Sequence, residues 1–355
     1  MKTINTIAGE KNVCDLGLID PHEHIFFSAV SQYPGRKKIY DINGDEDKVC
    51  LENVGALRRN CYLLKDNLVI DDFDTQVKEL SYFKNAGGNT IIEQTPLELT
   101  PFDVETDKAL YAIHKLKELS EATGINFILS TGFFTDDVFP ARYRDVGEAA
   151  LSRFFISELT EGIAGSGIKA GVIGEIGTGM PITPTEEMQL RAAALAHNET
   201  GAKINIHLYP WGKEALRVLE ILKQYNVNPQ NICMCHLDVQ LDYDHIKEVL
   251  DSGAYVEFDD FGKEFYIISE PGEFAGGAFA MDIERVRMLK RLVSEGYEKQ
   301  LLITNDLCMK SMLHKYGGWG YDHILHNIVP MMRQEGMDSK ATERIVYRNP
   351  QSFLE

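Results

Sequence analysis

A unit made of an amphipathic helix, a glycine and a short apolar strand recurs along most of the sequence. Five glycines stand between a helical pattern and a strand-like run, at Gly87, Gly124, Gly201, Gly253 and Gly296. Helices often end at a residue in the left-handed conformation, which glycine adopts without strain. We therefore expect each of these glycines to end a helix just before a strand.

The strand-like runs that take part in this alternation number about eight. They cover residues 17–24, 89–94, 125–130, 170–175, 202–207, 231–236, 254–258 and 300–306. Eight strands alternating with helices predict a (β/α)8 TIM barrel, and a doubly wound open sheet is the structural alternative. A chain of 355 residues fits one such barrel, so we interpret residues 1–355 as a single domain.

Charge and composition limit the possible partners. Lys and Arg number 36 against 54 Asp and Glu, which gives a net charge of −18. Such a field disfavours nucleic acid and anionic membranes, and no run of about 18 apolar residues predicts a membrane span. We predict a cytoplasmic protein with a small-molecule substrate, and the sequence allows a homodimer. The six cysteines show no disulfide-like spacing.

The first strand ends in the sequence GLIDPHEH at residues 17–24, which places two histidines two positions apart. Side chains alternate across a strand, so His22 and His24 project to the same side and can bind one cation, with Pro21 marking the end of the strand. An isolated pair of this kind can be a surface coincidence. Further ligand-type residues end later strands, however, at Glu175, His207, His236 and Asp306.

The carboxyl ends of barrel strands surround one opening, so these six side chains are expected to meet there. They exceed the needs of one zinc ion, and a carboxylate can bridge two cations. We predict a binuclear site in which one ion binds His22, His24 and Asp306 and the other binds His207 and His236, with Glu175 shared. Taken singly, each residue can also be a hydrogen-bonded structural residue. Cys233 and Cys235 are expected to face a covering helix.

Several motifs together resemble the phosphotriesterase-related family of the amidohydrolase superfamily. They are GLIDPHEH, GVIGEIGT at residues 171–178, the strand that ends at His207, CHLD at 235–238, Asn305-Asp306 and GGWGYD at 317–322. The resemblance covers nearly the whole chain. It implies a barrel with two divalent metal ions and hydrolytic chemistry. Zn²⁺ is the expected ion, with Mn²⁺, Co²⁺ and Fe²⁺ as alternatives.

Two departures from the phosphotriesterases proper bear on the branch of the family and on its substrate. The bridging position carries Glu175 where those enzymes use a carboxylated lysine, and Lys169 precedes the strand at its opposite end. The segment FDDFGK at residues 258–263 lacks the histidine that those enzymes use in a proton relay. The resemblance is therefore to the glutamate-bridged branch, and phosphotriester hydrolysis is a weaker expectation.

The catalytic interpretation assigns the chemistry to metal-bound hydroxide, with Asp306 as proton acceptor and donor. Asp238 faces the same interior and is our candidate for orienting Asp306, although a solvated loop carboxylate fits equally. The loops above the strands supply candidate substrate-binding residues, namely Trp211, Lys213, Lys263 and Tyr266. The two lysines can bind a phosphate or carboxylate, or can be solvated. Residues 270–280 are glycine-rich and have the composition of a lid.

Three functions remain open at this stage. The first is hydrolysis of a small lactone or carboxylic ester, with or without an anionic group. The second uses the same site on small N-acyl amides or on phosphoesters and phosphotriesters. The third is a non-enzymatic metal-binding protein, which the full ligand set disfavours.

Overall fold

Eight parallel strands form the centre of the computed structural model, which describes residues 2–35, 42–102, 107–268 and 276–355. The strands are β1 (Ile19–Glu23), β2 (Thr90–Glu93), β3 (Asn126–Thr131), β4 (Val172–Gly177), β5 (Ile204–His207), β6 (Ile232–Met234), β7 (Tyr255–Phe258) and β8 (Leu301–Ile303). Each strand is hydrogen-bonded to the next in chain order. Strands β1 and β8 also touch, and the Thr304 hydroxyl donates to the carbonyl of His22 at 2.6 Å. The predicted barrel is confirmed.

Helices cover the outside of this nearly closed sheet. Besides the four-residue helix Val54–Leu57, those between strands are α1 (Phe73–Asn85), α2 (Lys108–Thr123), α3 (Glu148–Thr160), α4 (Pro184–Thr200), α5 (Ala215–Lys223), α6 (Tyr243–Asp251) and α7 (Asp282–Ser294), followed by α8 (Val329–Gln334), α9 (Ser339–Glu343) and α10 (Asn349–Leu354). Gly124 and Gly201 end α2 and α4 with φ of +67° and +74°, as the sequence predicted. None of the described helices is both long and apolar enough to cross a membrane.

In the described part of the chain, three short antiparallel strand pairs lie outside the barrel sheet. Thr3–Thr6 pairs with Gly9–Asn12, Phe27–Ser28 pairs with Val69–Ile70, and Tyr266–Ile267 pairs with Gly277–Ala278. The second strand of the last pair, Gly277–Ala278, lies in the region 270–280 interpreted as a lid. Residues 270–275 of that region fall outside the described residues.

The barrel interior is apolar at one end and polar at the other. Near the strand starts, a buried cluster contains Ile4, Val13, Leu16, Ile19, Ile92, Ile128, Val172, Cys233, Tyr255, Leu302, Phe353 and Leu354. Further along the same strands the buried positions are taken by polar and ionisable groups such as Gln94, Asn205 and Glu257. Because alternate residues of a strand face inward, one strand can supply side chains to both the apolar and the polar end of the barrel interior.

Two local expectations are wrong. Pro21 lies inside β1, where the pairing with β2 shifts between Asp20 and Glu23, so it does not end the strand. Cys233 belongs to the interior cluster, and the Cys235 thiol lies 3.3 Å from Oε2 of Glu257. Both sulfurs therefore face inward. His236 adopts φ of +64°, which turns the chain, so the alternation along β6 does not extend to His236.

Candidate metal centre

The six ligand-type side chains predicted from the sequence converge at the polar end of the barrel. His22 lies in β1, Glu175 in β4 and His207 at the end of β5, whereas His24, His236 and Asp306 lie in the segments that directly follow β1, β6 and β8. All six are at most 6% exposed. The closed arrangement of the strands brings together residues that are up to 284 positions apart, counted from His22 to Asp306 (306 − 22).

Distances among the donor atoms fall into two groups that share Glu175. On one side, His22 Nε2 lies 3.4 Å from Glu175 Oε2, and His24 Nε2 lies 3.0 Å from Asp306 Oδ1. On the other side, His207 Nδ1 and His236 Nε2 lie 3.3 Å and 3.4 Å from Glu175 Oε2. Neighbouring ligands of a tetrahedral zinc ion, with bonds of about 2.0–2.1 Å, are separated by roughly 3.3 Å.

The donor set therefore fits a pair of divalent cations. Two buried atoms in it, His22 Nε2 and Asp306 Oδ1, make no hydrogen bond of suitable geometry, although Asp306 Oδ1 lies 3.0 Å from His24 Nε2. Buried polar atoms are rarely left so, and both face the first group of donors. A cation between these atoms would satisfy both.

Three histidines are oriented from behind by a second polar group. His22 Nδ1 lies 2.9 Å from Glu257 Oε2, and His236 Nδ1 lies 3.0 Å from Asp259 Oδ1. His24 Nδ1 lies 2.9 Å from the Thr95 hydroxyl, which donates onward to Glu93. With each Nδ1 donating to an oxygen, each Nε2 keeps a lone pair for a metal ion.

Sequence reasoning missed these orienting groups. A usable signal existed for two of them, since Glu257 and Asp259 share one face of β7 and its extension. Thr95 carried no such signal, because its partner His24 is 71 positions away.

Glu23, between the two histidines, fixes the loop that carries Asp306. Its carboxylate accepts from the Leu307 backbone N–H at 2.6 Å and from the Asn305 amide at 3.0 Å. Asp306 itself adopts φ of +45°, a conformation that non-glycine residues seldom take outside functional sites. The HEH motif therefore supplies both ligands and part of the support for a third.

The electrostatic environment favours positive charge on His22 and negative charge on Glu175. Burial lowers the pKa of His22, but the hydrogen bond to Glu257 and the charges of Glu175 and Asp306 outweigh it and raise the pKa to about 10. Burial raises the pKa of Glu175, but His207, His236 and His22 hold it well below its usual range. Groups that stabilise an imidazolium here would also stabilise a bound cation.

Lys263, predicted to bind a substrate anion, lines the cavity but is already paired. Its ammonium lies 3.0 Å from Asp260 Oδ1 and donates a short hydrogen bond to Asp306 Oδ2. The side chain is 5% exposed. Two carboxylates already neutralise this lysine, and the expectation that it binds a substrate anion stays a prediction.

Asp238 does not contact Asp306, and it is not a solvated loop carboxylate either. It is fully buried, bonds Arg285 Nε at 2.9 Å and accepts from the Asp260 backbone N–H at 3.1 Å. It therefore supports Asp260, which in turn pairs with Lys263. Its link to Asp306 runs through two other side chains.

Of the remaining substrate-binding candidates, one lines the cavity and two do not. Trp211 lines the cavity above the donors. Lys213 is 68% exposed and pairs with Asp242 at 2.5 Å, away from that cavity. Tyr266 is 58% exposed, whereas its neighbours Phe265 and Ile267 line the cavity, because alternate residues of an extended segment face opposite sides. The placement of Lys213 and Tyr266 contradicts the expectation that they line the site.

The cavity above the donor atoms has largely apolar walls. These are formed by Phe27, Ala29, Cys61, Tyr62, Phe134, Pro210, Trp211, Phe265, Ile267, Phe279, Cys308 and Met309. Phe134 packs edge-on against His207, with ring centroids 4.5 Å apart. Such walls limit water access to the donor atoms and favour a substrate with an apolar portion.

Comparisons with known proteins agree with this geometry. The model of the Phosphotriesterase family matches residues 2–354. An N-acetyltaurine hydrolase from Xenopus tropicalis is 30% identical over 355 residues, covering 99% of this chain and 97% of that protein.

Two solved structures share the fold over nearly the whole chain. A resiniferatoxin-binding protein from Rhodobacter sphaeroides matches with a TM-score of 0.92 at 26% identity, covering 99% and 95% of the two chains. A lactonase from Listeria monocytogenes matches with a TM-score of 0.75 at 25% identity, covering 100% and 99%. The chain thus belongs to the phosphotriesterase family, whose members are metal-dependent hydrolases.

Proposed function

We propose that this hydrolase acts on the carbonyl carbon of a small, uncharged lactone or carboxylic ester that carries an apolar portion. The observation that carries the proposal is the placement of a two-cation donor set at the floor of an apolar cavity whose lining lysine is already neutralised. A neutral carbonyl substrate can bury its alkyl part against these walls and present its oxygen to the donors.

The proposed ligand assignment follows the two groups of donors. His22, His24 and Asp306 would hold one ion, His207 and His236 would hold the other, and Glu175 would contact both. Imidazole and carboxylate ligands suit Zn²⁺, with Mn²⁺, Co²⁺ and Fe²⁺ as alternatives. Two such ions, when bound, lower the pKa of a water molecule and polarise a carbonyl oxygen.

The protein's own groups supply the positioning and the proton transfer. Asp306 has Oδ1 toward His24 and Oδ2 held by Lys263, which fixes the plane of the carboxylate. In this orientation it can accept a proton from the attacking water and return it to the leaving alkoxide. The apolar walls keep bulk water away from that exchange.

Amide hydrolysis of a small N-acyl compound is the second candidate. It is favoured by the relative named N-acetyltaurine hydrolase, which is 30% identical over 99% of this chain. Two points place it second. An amine is a poorer leaving group than an alkoxide of a lactone or ester, and an N-acyl sulfonate would bring an anion to a cavity whose lysine is paired with two carboxylates.

The test is hydrolysis by purified protein after removal of metal with a chelator and reconstitution with Zn²⁺, Mn²⁺ or Co²⁺. The panel holds alkyl γ- and δ-lactones, simple carboxylic esters, N-acetyltaurine, other N-acyl amides and a phosphotriester. We expect a metal-dependent kcat/KM that is highest for the lactones or esters. A higher metal-dependent kcat/KM for an amide would replace the first candidate by the second, and no turnover on any acyl compound would contradict both.

A further inference from the structure

Lys263 is the one lysine or arginine that lines the cavity among residues 2–35, 42–102, 107–268 and 276–355. It follows β7 and is 4% exposed, so its charge lies in a desolvated environment. A buried ammonium would attract an anionic substrate strongly if it lacked a counter-charge. What pairs with Lys263 therefore determines which substrates the cavity accepts.

Two carboxylates face this ammonium, and their circumstances differ. Asp306 is shared with the donor cluster, since its Oδ1 lies 3.0 Å from His24 Nε2. Asp260 pairs with Lys263 through Oδ1 at 3.0 Å, and its Oδ2 has no hydrogen-bond partner. When cations occupy the donor cluster, the charge of Asp306 is directed to them. Asp260 has a carboxylate oxygen within 4.8 Å of ligand atoms of His236 and Asp306, but its ion pair is with Lys263.

The backbone of Asp260 is held from behind by a buried network. Its N–H donates to Asp238 Oδ2 at 3.1 Å, and Arg285 Nε bonds the same oxygen at 2.9 Å. Arg285 also contacts Asp282 at 3.3 Å and the carbonyl of Lys263 at 3.4 Å. Both partners of the Asp260–Lys263 pair are thus tied to one arginine, so the pair is built into the floor of the cavity.

We propose that Asp260 determines the charge specificity of this site: by neutralising Lys263 it makes the cavity select uncharged carbonyl substrates over anionic analogues of the same shape. This inference rests on the proposed function, since it concerns the substrate of the same site. Replacing Asp260 by its uncharged isostere would leave Lys263 in place with a surplus positive charge. The cavity would then accept an anionic substrate.

The experiment uses two lactones of nearly the same shape, the neutral 5-oxotetrahydrofuran-2-carboxamide and the anionic 5-oxotetrahydrofuran-2-carboxylate. The ratio of their kcat/KM values is measured for the metal-reconstituted wild type and for Asp260→Asn. We expect the wild type to favour the carboxamide and Asp260→Asn to shift the ratio toward the carboxylate by about 10-fold or more, because a hydrogen-bonded charge pair is worth that much when desolvated.

A matched variant and a double variant control for indirect effects. Asp282→Asn also removes a carboxylate that contacts Arg285, but Asp282 does not contact Lys263, so the ratio should stay at its wild-type value. Asp260→Asn combined with Lys263→Met should abolish the shift. Asp260→Glu keeps the negative charge and should keep the wild-type preference.

Binding of unreactive analogues gives a readout that is independent of turnover. Calorimetry with cyclopentanone-3-carboxylate and its carboxamide should show the same change in relative affinity between wild type and Asp260→Asn. If Asp260→Asn does not fold, Lys263→Met tests the same point. The ratio should then move further toward the carboxamide, because Asp260 would keep its negative charge without a counter-ion.

Three results would overturn the inference. The first is an unchanged ratio in a folded Asp260→Asn that still hydrolyses the carboxamide, which would leave the proposed function standing. The second is a wild type that favours the carboxylate through Lys263. The third is a wild type that hydrolyses neither lactone, nor any other ester, after reconstitution, which would refute the proposed function itself.

Discussion

The two ends of the barrel interior are built from the same strands and yet have opposite chemistry. In β7, Tyr255 belongs to the apolar cluster, whereas Glu257, two residues later on the same face, orients His22. In β8 and its extension, Leu302 is apolar and Thr304 bonds the carbonyl of His22. Residues that stabilise the fold and residues that support the metal ligands therefore lie at opposite ends of the same strands. Substitutions at the apolar end should lower stability, and substitutions at the polar end should lower activity.

The largest expected effect is at the polar end, for Glu175→Gln. This change keeps the shape of the side chain but removes the negative charge shared by the two donor groups. We expect kcat to fall by at least about 10²-fold and metal occupancy to drop, which steady-state kinetics and metal analysis would measure. The fold should survive, so an unchanged melting temperature of the metal-free protein is the control. Near-normal kcat with both ions retained would show that Glu175 is not the shared ligand.

The counterpart at the apolar end is Leu302→Ala. Leu302 is fully buried, and a cavity of this kind typically costs about 2–5 kcal/mol in the free energy of unfolding. Chemical denaturation would measure this loss, while kcat below the unfolding transition should stay close to the wild-type value. A large fall in kcat at full folding would mean that the two ends are coupled, contrary to the comparison.

A smaller effect is expected from Glu257→Gln, which weakens the group that orients His22 without altering a donor atom. Loss of such a support typically costs about 10-fold or more in metal affinity. Competition with a chromophoric chelator would report the change. Cys235→Ala is the control, since it removes the other contact of Glu257 Oε2 and keeps the carboxylate. Equal metal affinities of Glu257→Gln and wild type would contradict the orienting role.

The smallest effect concerns Glu158, a buried carboxylate of α3 that lies outside both ends of the barrel interior. Burial raises its pKa to about 7, although the Thr131 hydroxyl donates to it. As the pH rises, Glu158 therefore keeps its proton in the folded protein up to about pH 7. In the unfolded chain its pKa is about 4.3, so the proton is released at lower pH. The contribution of this group to stability therefore falls as pH rises from about 4.3 to 7.

Glu158→Gln should remove that dependence. Relative to the wild type, we expect the variant to be more stable at pH 8 by roughly 1–2 kcal/mol and to show no such gain near pH 4. Urea denaturation of both proteins at the two pH values would measure the difference. A gain of equal size at both pH values would show that the proton on Glu158 is not responsible.

Much of the barrel could be predicted because the signals are local. The glycines that end α2 and α4 and the apolar runs of β2 to β8 depend on neighbouring residues, and the family motifs mark the strand ends. The placement of Lys169 is also as expected, since it is exposed and precedes β4 at the end opposite Glu175.

The remaining features depend on contacts between distant residues, which no local pattern reports. The pairing of Lys263 with Asp306 links positions 43 apart, and the bond from Asp238 to Arg285 links positions 47 apart. The inward direction of Cys235 follows from the left-handed conformation of His236. A sequence pattern does not predict this conformation for a residue other than glycine. The ligand assignment, the cytoplasmic location and a homodimer stay predictions.

The metal content of the wild-type protein, reconstituted in buffer free of CO₂ and bicarbonate, tests whether the site binds two divalent ions that share Glu175. A carboxylate on Glu175 needs no carbon dioxide, whereas a carboxylated lysine does. The account predicts close to two divalent ions per chain and full recovery of hydrolytic activity under these conditions. One ion or none per chain, or recovery that depends on bicarbonate, would contradict it.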